Sequence, residues 1–329
     1  MRILCVGLGG IARRHITNLK ALDPTISLAV WRTRSDPPGW VPPHGLPIDR
    51  YLYRSADVIA WQPDAAILAN PASHHAATGA MLVQHGVHLF IEKPIDDDLS
   101  DGTVDDMIRL AAEHKRVLMV GYDLRFSPAI RAVKQALDAG RIGRPLHLRC
   151  EAGQYLPDWR PGRDYRTSVS AKASLGGGVV LELSHEIDYA RWLMGEVSAI
   201  SAITGRLSDL EIDVEDTADI LLRFESGARG SIHLDMTDRA TVRKCRIVGT
   251  EGTIACDLRT GRVDLYYGGD ALKWEVLHEG LTVMPDPFVA EMRCFLACCR
   301  GDAVPPVDGA TARRVLELAI ECKKGGVWA

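Results

Sequence analysis

From residue 2 to about 122, short apolar runs alternate with stretches whose apolar residues recur at helical spacing, the pattern of a parallel sheet joined by crossover helices. The runs at 2–7, 27–31, 65–69, 88–91 and 117–120 read as strands. Residues 11–22 and 75–85 read as helices, the second stopped by Gly86, a residue suited to the left-handed turn that ends a helix. Past Gly121 the pattern changes. Ser127 and Pro128 supply an N-cap and a first-turn proline for a helix to about Ala139, ended by Gly140. Runs at 146–152, 199–204, 217–224, 230–235, 245–248 and 263–267 then have the alternating character of an open, mostly antiparallel sheet. One helix is expected across 182–194, and two close the chain, the first opening at Asp286-Pro287 and the second covering 310–322. The Pro/Gly-rich stretch 36–47 reads as a surface loop.

The pattern predicts an α/β chain of two domains: a doubly wound parallel sheet in 1–122, and an α+β domain with a large open, mostly antiparallel sheet in 123–329. A length of 329 residues lets each bury a core. With 47% hydrophobic and 25% charged residues the composition is globular, and a formal charge of -4 argues against a nucleic-acid partner. The apolar runs are strand-sized, so no membrane span is expected, and Met1-Arg2-Ile3-Leu4 leads into a strand without the regions of a secretory signal; the expected location is the cytoplasm. Eight cysteines stand without C-x-x-C spacing, and no metal site is expected. Cys294, Cys298 and Cys299 share a helical face and read as buried thiols.

Gly7-Leu8-Gly9-Gly10-Ile11-Ala12 follows the first strand and opens the first helix, which is G-x-G-x-x-A in the setting that binds a dinucleotide. Gly7 permits the tight turn, Gly9 lets backbone approach a pyrophosphate, and Ala12 permits close helix-on-strand packing. The helix N-terminus adds free N–H groups and the positive end of its dipole. The first domain is therefore expected to be a Rossmann domain. Where an NAD enzyme usually carries an acid for the ribose 2′-hydroxyl stands Trp31-Arg32-Thr33-Arg34-Ser35. Arg32 and Arg34 flanking Thr33 suit a 2′-phosphate, so NADP is favoured over NAD, and Trp31 or an arginine is a candidate to stack on adenine.

Glu92-Lys93-Pro94 ends a later strand, where open α/β sheets place ligands, and a lysine there can bond a substrate hydroxyl and exchange its proton. Together with the glycine turn, Asn70-Pro71 followed by His75, Gly121-Tyr122-Asp123-Leu124-Arg125-Phe126-Ser127-Pro128, and Gly176-Gly177-Gly178 leading to His185 and Asp188, this resembles the Gfo/Idh/MocA oxidoreductase family over nearly the whole chain. The resemblance implies a substrate domain whose open sheet assembles a homodimer or homotetramer. It also implies substrates among sugars, cyclitols and nucleotide sugars, and a Lys93 beside the nicotinamide. Asn70, Pro71, His75, Glu92 and Arg125 would border the cofactor, and Tyr122 the substrate. Where relatives often carry D-x-x-x-H, Leu181 stands four residues before His185. Glu182 and Asp188 lie three residues to either side, so on one helix all three would share a face, with His185 meeting substrate and either acid orienting it. Asp123 stands where many relatives carry Asn.

The loop 155–166 holds three arginines, two tyrosines and a tryptophan, of which Trp159, Arg160, Tyr165 and Arg166 are candidates to stack on a sugar or clamp an anionic group. A subunit or interdomain contact explains the same composition. The expected chemistry is oxidation of a secondary alcohol to a ketone or the reverse, with Lys93 or His185 handling the hydroxyl proton. Two alternatives stay open at this stage: a non-catalytic dinucleotide-binding regulator, and a glycosidase that keeps its cofactor bound and uses transient oxidation.

Overall fold

The structure, a computed structural model, describes residues 1–32, 45–268, 273–280 and 286–325. The chain divides into two compact units: Met1–Asp123 with Pro285–Arg313, and Leu124–Met284 with Arg314–Ala329. Thr33 and Arg34 lie outside the described residues, as does most of the loop 36–47.

In the first unit, β1 (Arg2–Val6), β2 (Ser27–Trp31), β3 (Arg50–Leu52), β4 (Ala65–Leu68), β5 (His88–Glu92) and β6 (Leu118–Gly121) form a parallel sheet ordered β3-β2-β1-β4-β5-β6. Ile3, Leu4, Cys5 and Val6 are all fully buried, as a strand covered on both faces requires. The helices α1 (Gly10–Leu22), α2 (Ser55–Trp61), α3 (His75–Gln84) and α4 (Thr103–Glu113) lie between the strands in sequence. Strand order reverses between β1 and β4, so their carboxyl ends bound the crevice in which such sheets hold ligands. The sequence pattern does not reveal β3 and α2, of three and seven residues, nor α4, where the apolar positions Val104, Met107 and Ala111 are diluted by charge.

The segment Pro285–Arg313, which the sequence pattern places in the second domain, belongs to the first unit. Its helix α8 (Pro287–Arg300) buries Met292, Phe295 and Leu296 and packs against α1. Phe295 meets Phe90 of β5 edge-on at 5.6 Å, Arg14 pairs with Asp286 at 2.6 Å, and the Val120 N–H donates to the Val307 carbonyl. Apolar area buried against the sheet, rather than position in the chain, decides where this helix goes.

The second unit holds eight strands in the order β14-β13-β12-β11-β7-β10-β9-β8. They are β7 (Pro145–Gly153), β8 (Val197–Gly205), β9 (Thr217–Phe224), β10 (Arg229–Asp235), β11 (Val242–Gly249), β12 (Gly252–Asp257), β13 (Arg262–Tyr267) and β14 (Lys273–His278). Only β7 and β10 pair in parallel; the other neighbours are antiparallel. The sequence reading passes over β12 and β14. One face packs against α5 (Pro128–Asp138) and α7 (His185–Met194). The other is an open groove of about 780 Å³ lined by alternating residues such as Arg149, Glu151, Leu221, His233 and Arg246. The helix expected at 182–194 is broken: α6 (Val179–Glu182) ends at Leu183, and Ser184 opens α7. The final helix, α9 (Gly309–Lys323), begins in one unit and ends in the other.

Candidate active site

The expected cofactor turn lies at the end of β1. Gly7 adopts φ +93, and a Cβ there would stand 2.9 Å from the Ala69 carbonyl oxygen, so the turn closes against the end of β4 and admits no side chain. At Gly9 and Gly10 an added Cβ meets nothing within 4 Å. No side chain caps α1 and no acid stands in its first turn, which leaves its N-terminal amides and dipole to an anion. Ala12 is fully buried against the sheet. Asn70 Oδ1, just past β4, is buried and has no hydrogen-bond partner among the described residues. An uncapped, uncrowded helix start beside an orphaned polar atom fits a dinucleotide pyrophosphate and the groups that follow it.

Two histidines fix the strand ends around Lys93. His75, at the start of α3, is buried and places Nδ1 2.9 Å from the Pro94 carbonyl and Nε2 2.9 Å from the Asn70 carbonyl. Burial lowers its pKa, and a neutral ring donates to one of these oxygens at a time. It ties the Asn70 loop to the Lys93-Pro94 loop from below and presents no nitrogen to a ligand, so its part in cofactor binding is indirect. His15 is a residue that the sequence reading misses. It lies on the buried stripe of α1 with Ala12, Ile16 and Leu19, and its Nε2 stands 2.5 Å from Glu92 Oε1. A histidine on an apolar stripe three residues after the last motif position is the signal that would have found it. Glu92, expected at the cofactor, is thus engaged by His15 and only 13% exposed. Lys93 follows it at the end of β5, half-buried.

Other expected residues are placed differently. Tyr122 is 1% exposed and packs in the core, so it offers no face to substrate. Trp31 is also buried, leaving Arg32, whose N–H donates to the Leu52 carbonyl, as the described residue nearest in sequence to the expected 2′-site.

In the second unit, α7 carries the expected imidazole at its first position and is clamped by ion pairs. Arg125 grips Asp188 with two bonds of 2.8 and 2.7 Å, Arg243 grips Glu186 with 2.8 and 2.9 Å, and Arg191 pairs with Glu196 at 2.5 Å. Burial raises the Asp188 pKa while Arg125 opposes it, and with both oxygens bonded the carboxylate anchors its helix. Two of the Arg125 nitrogens, expected at the cofactor, are thus taken up by Asp188. Glu182 ends α6, on a different helix from His185, so the expected shared face does not form. His185 begins α7 and is 8% exposed. The glycine run before it serves packing: a Cβ on Gly177 would fall 2.4 Å from the Val169 carbonyl oxygen, and one on Gly178 2.4 Å from Glu215 Oε1.

The loop after β7 encloses a cavity of about 190 Å³ whose lining includes Trp159, Arg160, Arg163, Tyr165 and Ser170. Trp159 Nε1 donates to the Gln154 carbonyl, and Tyr165 Oη accepts from the Glu211 amide. Arg166 does not line this cavity; Asp164 and Glu211 hold it at 2.9 and 3.3 Å.

Residues 1–122 match the family model described as the oxidoreductase family with an NAD-binding Rossmann fold, and residues 130–255 match that of the GFO/IDH/MocA C-terminal domain. The chain belongs to the Gfo/Idh/MocA family. It is thus an NAD-binding oxidoreductase, as the glycine turn and the two sheets lead one to expect. A myo-inositol 2-dehydrogenase of Thermotoga maritima is 30% identical, over 98% of this chain and 96% of its own. An inositol 2-dehydrogenase of Rhizobium meliloti is 26% identical over 78% of this chain and 77% of its own. Among solved structures, a levoglucosan dehydrogenase in complex with NADH superposes with a TM-score of 0.84 at 19% identity, over 98% of this chain and 96% of that one. The WlbA dehydrogenase of Bordetella pertussis, in complex with NADH and UDP-GlcNAcA, gives 0.82 at 24% identity, over 98% and 94%. At these identities the two structures speak for the fold.

Proposed function

We propose that this oxidoreductase converts a secondary alcohol of a sugar, cyclitol or nucleotide sugar to the ketone, or the reverse, with Lys93 and His185 serving the hydroxyl oxygen. The observation that carries the reading is Lys93 held at the carboxyl end of β5, with its flanking residues pinned by His15 on Glu92 and by His75 on Pro94, in the sheet whose first turn is open to a dinucleotide. The bound nicotinamide supplies the hydride acceptor or donor. Lys93 hydrogen-bonds the substrate oxygen and takes up or returns its proton, and His185 supports the same oxygen from the first turn of a helix kept rigid by three arginine–carboxylate pairs. Glu182 and Asp188 take no proton in this scheme. The names of the inositol dehydrogenases among the relatives support a polyol substrate. Trp159 and Tyr165 offer aromatic faces, and Arg160 a guanidinium, to a sugar ring and any anionic group it carries.

For the cofactor, Arg32 at the end of β2 and the lack of an acid in 31–35 support NADP over NAD. Arg32→Asp would then weaken NADPH while sparing NADH; equal affinities for both that do not respond to the substitution discard the preference. The open sheet face, with Ile203 and Leu221 exposed near one edge and Trp274 and Val276 near the other, supports homodimer or homotetramer assembly, which light scattering reads directly.

The test is a screen of sugars, inositols, uronic acids and nucleotide sugars with NAD and NADP in parallel, followed at the nicotinamide absorbance. Lys93→Ala is expected to lower turnover by about 100-fold or more without abolishing cofactor binding, which weakens. Near-normal turnover by that variant removes the lysine from the mechanism.

A further inference from the structure

α8 carries a carboxyl that this mechanism does not use. Glu291 is fully buried, and neither of its carboxyl oxygens has a hydrogen-bond partner among the described residues. A buried acid without hydrogen bonds works against folding, and an apolar side chain at 291 would pack beside Met292 and Phe295 at less cost. Something other than packing is needed to account for it.

The groups around it are acids. Burial first, then Asp123 and Glu92, and last the Cys294 thiol of its own helix, push the Glu291 carboxyl well above the usual carboxylate range. Glu92 ends β5, Asp123 follows β6, and Glu92 is the register partner of Gly121, so the two acids stand at the ends of neighbouring strands. The fit there is close: a Cβ on Gly121 would lie 2.9 Å from the Phe90 ring and 3.5 Å from Glu92 Oε1. From α1, His15 bonds Glu92, with its ring 5.2 Å from that of Phe90 and 6.2 Å from that of Phe288. From β1, Cys5 stays a neutral thiol, pushed up to about 12 by burial and then by Glu92. His15 reaches this set through Nε2, which engages Glu92.

We propose that Glu291, buried and unpartnered on the face of α8 that carries Phe288 and Phe295, is a positioning residue that keeps the ends of β5 and β6 together and so holds Lys93 in place for the cofactor. The role rests on Lys93 standing at the nicotinamide, as proposed above. A protonated carboxyl can reach a neighbouring carboxylate through a water. Ionised, it adds a negative charge beside Glu92 and Asp123, and repulsion then parts the strand ends. Glu291 touches no reacting atom; it acts through Glu92 on the residue that follows.

NADH affinity, read by fluorescence titration from about pH 6 to about pH 9.5 with melting curves at each pH, tests this in the wild type, Glu291→Gln and Glu291→Leu. Wild-type affinity should fall about tenfold as the pH rises through the Glu291 titration. Glu291→Gln, a neutral donor at every pH, should not show that fall. Glu291→Leu, which fills space and donates nothing, should bind NADH weakly throughout. The sign for stability is also fixed: a carboxyl with a raised folded pKa favours the fold below its unfolded value, and that contribution is lost as pH rises through the folded one. Melting of the wild type should therefore fall relative to Glu291→Gln toward alkaline pH. Parallel affinity profiles for wild type and Glu291→Gln, even with that divergence in melting, would leave a buried acid that merely weakens the fold and would overturn the proposal. So would a folded Glu291→Leu that binds like Glu291→Gln; should the leucine variant not fold, the glutamine profile decides. Because no turnover is read, a protein that binds NADH in the expected pattern yet oxidises no polyol would sink the substrate assignment and leave this role standing.

Discussion

The two glycine clusters look alike in sequence and do opposite things. At Gly9 and Gly10 an added Cβ finds open space, whereas at Gly177 it meets carbonyl oxygens of Val169, Ser170 and Lys172 at 2.4, 2.8 and 2.9 Å. The first cluster is small so that something from outside can approach the backbone; the second is small because the protein's own backbone is already there. Glycine-richness alone therefore says nothing about ligands, and what surrounds the missing Cβ says a great deal.

Substitutions in the two clusters should separate affinity from stability. The largest effect is expected for Gly177→Ala, which forces a methyl against three backbone oxygens and should lower unfolding free energy by about 3 kcal/mol, seen as an earlier denaturant midpoint, while folded molecules still bind NADH. Gly9→Val should do the reverse, weakening NADH by roughly 100-fold through lost approach to the pyrophosphate with the melting temperature nearly unchanged. The comparison breaks if Gly9→Val melts early and binds normally. Gly10→Ala is the gentlest test: its Cβ enters the same open space, so stability should rise by roughly 0.5–1 kcal/mol while NADH affinity falls by less than in Gly9→Val.

What the sequence disclosed follows the same division between local and distant causes. The G-x-G-x-x-A turn is legible because φ +93 at Gly7 is a local demand that one residue type meets. β2 and β9 are legible to their end residues because apolar runs and alternation are written within them. The break at Leu183-Ser184 is not, since Ile187 and Tyr189 continue an apolar pattern that a single helix would also satisfy. Nor are His15 and Glu291: a histidine and a glutamate on helices read as solvated or packed until strands far away in the chain bring Glu92 to them. The motifs single out both Arg125 and Asp188, but that they hold each other is a fact of tertiary structure.

The return of Pro285–Arg313 to the Rossmann unit constrains anyone who would recombine this protein. A graft cut at residue 122 would leave behind Phe288, Glu291 and Phe295, the wall against which His15 and Phe90 rest. A transplantable nucleotide module must be assembled from two separate stretches of gene, and chimeras spliced at one junction should arrive with an exposed, sticky flank on the first helix.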